Sequence, residues 1–452
     1  MVLDEWLARR GNGYRVVLLF MEPEFVSSVP RCGQILQSNA QICQMSNKPH
    51  AIVIGGSVGG LFVALLLRRI GWRVSVFERA SDDLASRGAG AGMSAELFDV
   101  MRRIGIDLDP SIGVTISSYA CVDERGNITH EISRHSVNGA WARVYRPLQQ
   151  YFPADSYHAG ISLESVEQRK STVTAKFSNG SAVQGDLLIA ADGSYSTVRQ
   201  QFAPATNHQY AGYVAWRGLL TESELPVESH KILKQRIVFS LPNGELMLSM
   251  PVAGRHDGLD REERQNYFIW YRPVDFDTEL PALCTDATGH CHGITIAPTL
   301  IRSEVIAELR STAAAIFAPQ VAKLVERVQL PLLQPIFDLE SRQLVFGRTV
   351  LIGDAAFVAR PHVAAGITKA ALNAQMLADS MQATDNNIEA ALAKYEATSL
   401  AFGSQMVSHA RYLGEYIDAK LDNGTLPAKR NEPESYLREY GAPHLVKDPI
   451  VF

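Results

Sequence analysis

The sequence predicts an α/β chain of α+β character, with a parallel strand–helix–strand unit, an inserted mixed β-sheet and a long C-terminal helix. Three observations predict it. His50–Ile54 is an apolar run that breaks into glycines and resumes as helix formers before a second apolar run, Arg73–Glu78. From Tyr210 to Arg272 short β-rich runs alternate with turns. From Ile388 to Tyr416 the pattern stays helical throughout.

In the first element, His50–Ile54 reads as a buried strand and Leu61–Ile70 as a helix that stops at Gly71. Arg73–Glu78 is the second strand. The unit spans about 30 residues, as a right-handed parallel crossover requires. In the second element, strands are expected at Gly212–Leu219, Arg236–Ser240, Glu245–Met250 and Tyr267–Tyr271. Pro242-Asn243-Gly244 marks a hairpin turn between two of them. The chain returns to a parallel-type strand at Thr349–Ile352, with a helix from Ala365 to Met381. Beyond Asn423, a stretch rich in Pro, Lys and Glu predicts an irregular tail.

Composition bounds the rest. Hydrophobic residues make up 46% and charged residues 20% of 452, which is globular and enough for two or three domains. The net charge of −5 comes without a long basic run, so nucleic acid is not an expected partner. Five cysteines, Cys32, Cys43, Cys121, Cys284 and Cys291, are too few and too scattered for a disulfide framework and fit a reducing cytoplasm. Cys284, His290, Cys291 and His292 match no common zinc spacing, so no metal is expected. Ala51–Leu67 is apolar enough to imitate a membrane span, but five of its 17 positions are Gly or Ser, clustered where strand turns into helix. No stable membrane insertion is expected. Val16–Phe20 is too short for a secretory apolar segment. Met45 therefore reads as the natural start, and residues 1–48 as an extension, either a loose tail or an upstream-start artefact. A genuine surface element is the alternative.

The chemistry lies in three strand ends. Gly55-Gly56-Ser57-Val58-Gly59-Gly60 nearly fits the Rossmann glycine fingerprint. Gly55 permits the tight turn, Gly60 allows close helix–strand packing, and Ser57 stands where the fingerprint has its middle glycine. Ser57 and Val58 open a helix whose N-terminus favours a pyrophosphate. Glu78, eighteen residues after Gly60 and followed by Arg79, is placed to accept hydrogen bonds from an adenosine ribose. A second strand ends in Ala191-Asp192-Gly193, and a third in Gly353-Asp354-Ala355-Ala356.

Together these three strand ends resemble the FAD-dependent aromatic hydroxylases, the family of para-hydroxybenzoate and salicylate hydroxylases, over about residues 50–420. The resemblance implies a Rossmann-like FAD-binding domain in two segments, 49–206 and 340–422. A substrate-binding sheet would occupy 207–339, and the tail 423–452. It gives Glu78 the ribose, Asp192 a part in handling both FAD and the nicotinamide cofactor, and Asp354 the ribityl chain. Pro361 and Gly366-Ile367-Thr368 would run past the flavin ring, and Arg87–Gly92 would be the flexible segment beside it. Ser57, Tyr210–Gly218 and Arg360–Gly366 with Lys369 resemble most closely the members that act on dihydroxypyridines. Phe357 departs from the His common after the Gly-Asp-Ala-Ala run, and Asn373 from a common Asp.

The implied reaction uses NADH or NADPH as a visiting co-substrate, O2, and a flavin C4a-hydroperoxide that hydroxylates a small phenolic or hydroxypyridine ring. His362 is the candidate base or hydrogen-bond partner of the substrate, since its ordinary pKa suits proton transfer near neutrality; a structural histidine is the alternative. Tyr213 and Trp216 are candidate pocket residues, with sheet packing as the alternative. Arg217 faces either a carboxylate, the flavin or a cross-strand ion pair, and Met247 and Met250 read as core. A larger polycyclic substrate, or flavin binding without turnover, are the competing readings. A homodimer is an open expectation.

Overall fold

His50–Ile54, buried at every residue, is an interior strand of a six-stranded sheet. Its neighbours on either side, Leu187–Ala190 and Arg73–Glu78, run parallel to it. Thr349–Leu351 extends the parallel set next to Leu187–Ala190, and Tyr157–Ala159 does so next to Arg73–Glu78. Ile54 pairs with Ala190 and Ala190 with Leu351, so three strands end level with one another. The glycine turn, the Asp192 loop and the Asp354 loop therefore leave the sheet at one edge. That edge is where open parallel sheets bind their ligands.

The computed structural model describes residues 48–87, 90–109, 112–242, 244–254, 258–418 and 433–441, and Pro49–Phe452 clusters as one unit. The reading of Met45 as the natural start lies outside the described residues. The first helix, Val58–Arg69, buries nine of its twelve residues. A helix apolar on nearly every side must be covered on both faces. The sheet covers one, and Gly366–Ala383 packs on it as well.

A nine-stranded mixed sheet stands beside the first. The hairpin expected around Asn243 joins Arg236–Ser240 to Leu246–Val252, which pair antiparallel; Asn243 itself lies outside the described residues. The sheet is larger than the sequence reading, because it also takes Leu332–Glu340 and Phe357–Val358 and, from upstream, Gly90–Met93, Gly113–Val122 and Ile128–Ala140. Ile128–Ala140 is exposed or half-buried over its first eight residues, so its sequence carries little apolar signal. Alternate side chains of a strand take opposite faces. Trp216 accordingly joins the core beneath the helices with Trp270, while Tyr213 joins the opposite core with Tyr271.

The expectation of an irregular tail past Asn423 is corrected over the described residues 433–441. Pro433–Glu439 is a helix, with Tyr436 and Leu437 buried and Tyr440 buried just beyond it. These three side chains share one face and pack on the large sheet beside Phe239, Tyr436 at 5.9 Å and Tyr440 at 4.8 Å between ring centroids. A few well-placed aromatics outweigh a polar composition. No helix of the described residues is long and apolar enough to cross a membrane.

Candidate cofactor and substrate site

At the level edge of the parallel sheet a cavity of about 460 Å³ is lined by Gly55, Ser57, Glu78, Arg79, Trp141, Asp192 and Tyr195 among others. Gly55 has φ +103°, and a Cβ there would stand 2.2 Å from the Ala191 carbonyl oxygen. A Cβ on Gly60 would stand 1.8 Å from the Gly55 carbonyl oxygen. Both positions exclude any side chain, and the cradle between them stays open. Ser57 precedes Val58 in the N-cap position, yet its hydroxyl makes no capping bond. The first N–H groups of the helix are thus left for a ligand, and a diphosphate suits them.

Glu78 accepts from the Gly56 amide at 2.7 Å and the Ala80 amide at 2.9 Å, one on each oxygen. A carboxylate has about four acceptor sites, so the bonded Glu78 can still take ribose hydroxyls. Arg79 is exposed at the rim. Asp192 has a buried oxygen, Oδ1, without a partner, and burial raises its carboxyl above the usual range. A buried polar atom left unpaired is costly and fits a ligand donor. These residues suit FAD's adenosine and diphosphate. Arg199 ties the site together: it donates to the Ala355 carbonyl at 2.9 Å and also to that of Ser194, so it links the Asp192 and Asp354 loops.

A second cavity, about 380 Å³, opens on the other side of Trp141, which lines both. Its floor is the run from Val358 to Lys369, including Pro361, Gly366, Ile367 and Thr368. Gly366 opens an eighteen-residue helix, so unbonded amides of its first turn lie at the cavity. Such amides stabilise negative charge on a reduced flavin ring. Lys369, almost fully buried, holds Asp354 at 2.6 Å and also donates to the Phe357 carbonyl. Thr368 Oγ1 meets Ser94 Oγ at 3.0 Å. Arg87 ends a turn of 3-10 helix, Leu84–Arg87; its side chain and residues 88–89 lie outside the described residues.

The two departures from the family pattern have structural reasons. Asn373 accepts from the Gly353 amide at 3.2 Å and donates to Ser399 at 2.8 Å, so the amide both receives and gives a bond where a carboxylate would only receive. Phe357 is fully buried, and a Cβ on Gly403 would lie 2.2 Å from its ring.

The expected contact of His362 and Tyr213 with substrate is corrected. Both are wholly buried, and neither lines the cavity although Pro361 and Val363 do. Tyr213 Oη and His362 Nε2 lie 2.8 Å apart. Burial, then the Arg360 and Arg217 charges, hold the imidazole down to about 3, so it stays neutral near pH 7. Arg360, in the cavity wall, stacks over Tyr213 at 5.5 Å and pairs with the buried Asp338 at 2.9 Å. Trp216, on the far face of the sheet, does not reach the cavity either.

Arg217 does line the cavity. It donates to the Tyr267 hydroxyl at 3.0 Å, and its buried Nε has no partner. A cross-strand ion pair is absent for it among the described residues. Met247 is core, as expected, whereas Met250 lines the cavity. Sequence reasoning missed Tyr119, Arg134, Tyr267 and Tyr440 in the cavity wall. The strands that carry the first three bear no local motif. The Tyr436, Leu437, Tyr440 spacing was the one usable signal, a helix face in a polar stretch.

Comparison with known proteins agrees with this geometry. The family description "Pyridine nucleotide-disulphide oxidoreductase" matches residues 50–115, and "FAD binding domain-like" matches 210–338. The 2,6-dihydroxypyridine 3-monooxygenase of Paenarthrobacter nicotinovorans is 30% identical over 366 residues, 81% of this chain and 90% of that protein. The solved 2,6-dihydroxypyridine-3-hydroxylase from Arthrobacter nicotinovorans superposes with TM-score 0.78 at 27% identity, over 90% of this chain and 100% of that one. A Klebsiella pneumoniae protein solved with FAD and uric acid superposes with TM-score 0.68 at 25% identity, over 87% and 93%.

Proposed function

Because this chain belongs to the FAD-dependent aromatic hydroxylases, we propose that its substrate is a small hydroxylated ring bound as an anion, of hydroxypyridine or phenol type. The chain is an FAD-dependent aromatic-ring monooxygenase that draws electrons from NAD(P)H. Bound FAD supplies the activated oxygen; the protein binds, orients and dries the site.

Arg217 is the observation that carries the proposal. Among the described lining residues the cations are Arg134, Arg217, Arg360 and Lys369, and the one carboxylate is Asp354. Lys369 already engages Asp354, and Asp338 engages Arg360. Among the described residues Arg217 bonds only the neutral Tyr267 hydroxyl and pairs with no carboxylate. A sheltered guanidinium with no counter-charge favours an anionic ligand. A ring oxyanion there is electron-rich, which suits attack by an electrophilic oxygen. The volume supports a single ring over a polycycle, since about 380 Å³ lies near the small end of ligand pockets and must serve the flavin ring too.

In this reading Gly55, Ser57, Val58, Gly60, Glu78 and Arg79 hold the adenosine diphosphate half of FAD. Arg87, Asp192, Asp354, Pro361, Gly366, Ile367 and Thr368 hold the remainder. His362 and Tyr213 position Arg360 and the Pro361–Val363 turn rather than meet substrate. A cytoplasmic location belongs to the same reading, supported by free thiols at Cys121, Cys284 and Cys291.

The test is a screen of hydroxypyridines and hydroxybenzoates for stimulated NAD(P)H oxidation, coupled O2 uptake and hydroxylated product. The best ring is expected to bind more tightly as pH passes its own hydroxyl pKa. FAD-loaded protein that no ring stimulates would overturn the proposal.

A further inference from the structure

The end of the short C-terminal helix is anchored by polar bonds as well as by burial of its apolar face. Pro433–Glu439 buries Tyr436 and Leu437 against the large sheet, an apolar contact. Its last turn also receives polar ties from three separate parts of the chain. Arg134, on a strand of the large sheet, donates to the Tyr440 carbonyl at 2.8 Å and the Leu437 carbonyl at 3.4 Å. His409 Nε2 lies 2.8 Å from the Gly441 carbonyl oxygen, and the Tyr412 hydroxyl donates to Glu439 at 2.7 Å; both belong to the long helix Ile388–Asp418. The Gly441 amide donates to the His362 carbonyl at 3.1 Å, beside the turn that floors the ring cavity.

These bonds fix the position of one residue pair, Tyr440 and Gly441, and both line that cavity. Tyr440 is 3% exposed, and its ring stands edge-on to Phe239 at 4.8 Å and to Tyr119 at 6.3 Å. Arg134 lies over the Tyr119 ring at 4.7 Å. The segment thus closes the cavity with a rigid aromatic that has little room to swing aside. Rigidity matters because a wall that cannot relax rejects a larger ligand by overlap, and overlap in a packed site is costly.

We propose that Pro433–Gly441 is the closing wall of the substrate chamber and that the Tyr440 ring sets the upper limit on substrate size at one ring. The proposal rests on the monooxygenase reading above for its turnover assay, but not for its binding assay.

The experiment compares a dihydroxypyridine with a hydroxyquinoline on the full-length, FAD-loaded protein and on Tyr440→Ala and Tyr440→Leu. Binding is read from the perturbation of the flavin absorbance, turnover from product formation, and retained FAD tells folded variants from collapsed ones. Wild type is expected to bind the single ring and not the bicycle. Tyr440→Ala is expected to raise bicycle binding relative to single-ring binding by about tenfold or more, with Tyr440→Leu between the two. Tyr440→Phe keeps the ring's bulk and is expected to keep the discrimination. Both affinities falling by the same factor, or an unchanged ratio in both the Ala and Leu variants, would overturn the size limit. If neither compound turns over in wild type while the binding ratio still shifts, the hydroxypyridine substrate reading fails and the wall assignment stands.

Discussion

The Tyr213 hydroxyl and His362 Nε2 lie 2.8 Å apart with both rings closed off from solvent, directly behind the turn that floors the ring cavity. The pair joins the large sheet to that turn. Tyr213→Phe keeps the ring but leaves Nε2 buried without a partner. The expected cost is about 1–3 kcal/mol in urea unfolding. A difference within the scatter of the measurement would mean that the bond holds nothing.

The same burial gives a pH signature. The folded His362 has a pKa of about 3, below the ordinary 6.5 that the unfolded chain has. Between those values the unfolded chain takes up a proton that the folded chain refuses. Stability is therefore expected to be intact above about pH 6.5 and to fall as pH drops through the window, by about 1.4 kcal/mol per pH unit for this group. His362→Gln should flatten that slope. Parallel slopes for variant and wild type would dismiss the assignment.

Gly55→Ala is expected to yield folded but colourless protein. The new methyl meets the Ala191 carbonyl at 2.2 Å in a backbone conformation, φ +103°, that disfavours a side chain. Relief requires the strand end and the Asp192 loop to separate, which spoils the diphosphate cradle. The ratio of flavin to protein absorbance reads this directly, and full FAD occupancy would contradict it.

Arg217→Gln should raise KM for the anionic ring by roughly 10–100-fold, the range of one charge-assisted hydrogen bond of about 1.5–3 kcal/mol. Binding of an uncharged ring of the same shape should change little. Equal losses for both rings would remove the electrostatic role.

Arg199→Met should weaken FAD affinity without touching either cavity wall, because it releases the Ser194 and Ala355 carbonyls that tie two cofactor loops together. A fluorescence titration of apoprotein with FAD measures the loss, and an unchanged dissociation constant would show that the loops keep their places without the tie.

The parallel unit with its glycine turn was legible because its constraints are local. Gly55, Gly60 and Glu78 lie in one strand–helix–strand unit, where backbone conformation and close approach act on neighbours in sequence. Asp192 and Asp354 were legible because each ends an apolar strand, and the level register of Ile54, Ala190 and Leu351 brings all three ends to one edge. Whether His362 meets substrate or serves structure was not legible, for the opposite reason. Nothing beside His362 in the sequence announces that Tyr213, 149 positions earlier, takes its Nε2 and that the sheet seals it from water.

The order of residues by itself thus determined a dinucleotide fold with three strand ends that line cavities at one sheet edge, since turn geometry and helix starts are written within a few residues. Only the tertiary structure decided which side chains face the ring. Arg134, Arg217, Tyr267 and Tyr440 come from distant strands and a C-terminal helix, and they meet because side-chain direction in a sheet follows from pairing across strands. Charge and proton affinity in that chamber likewise depend on what surrounds each group in space, so they exist only once the chain has folded.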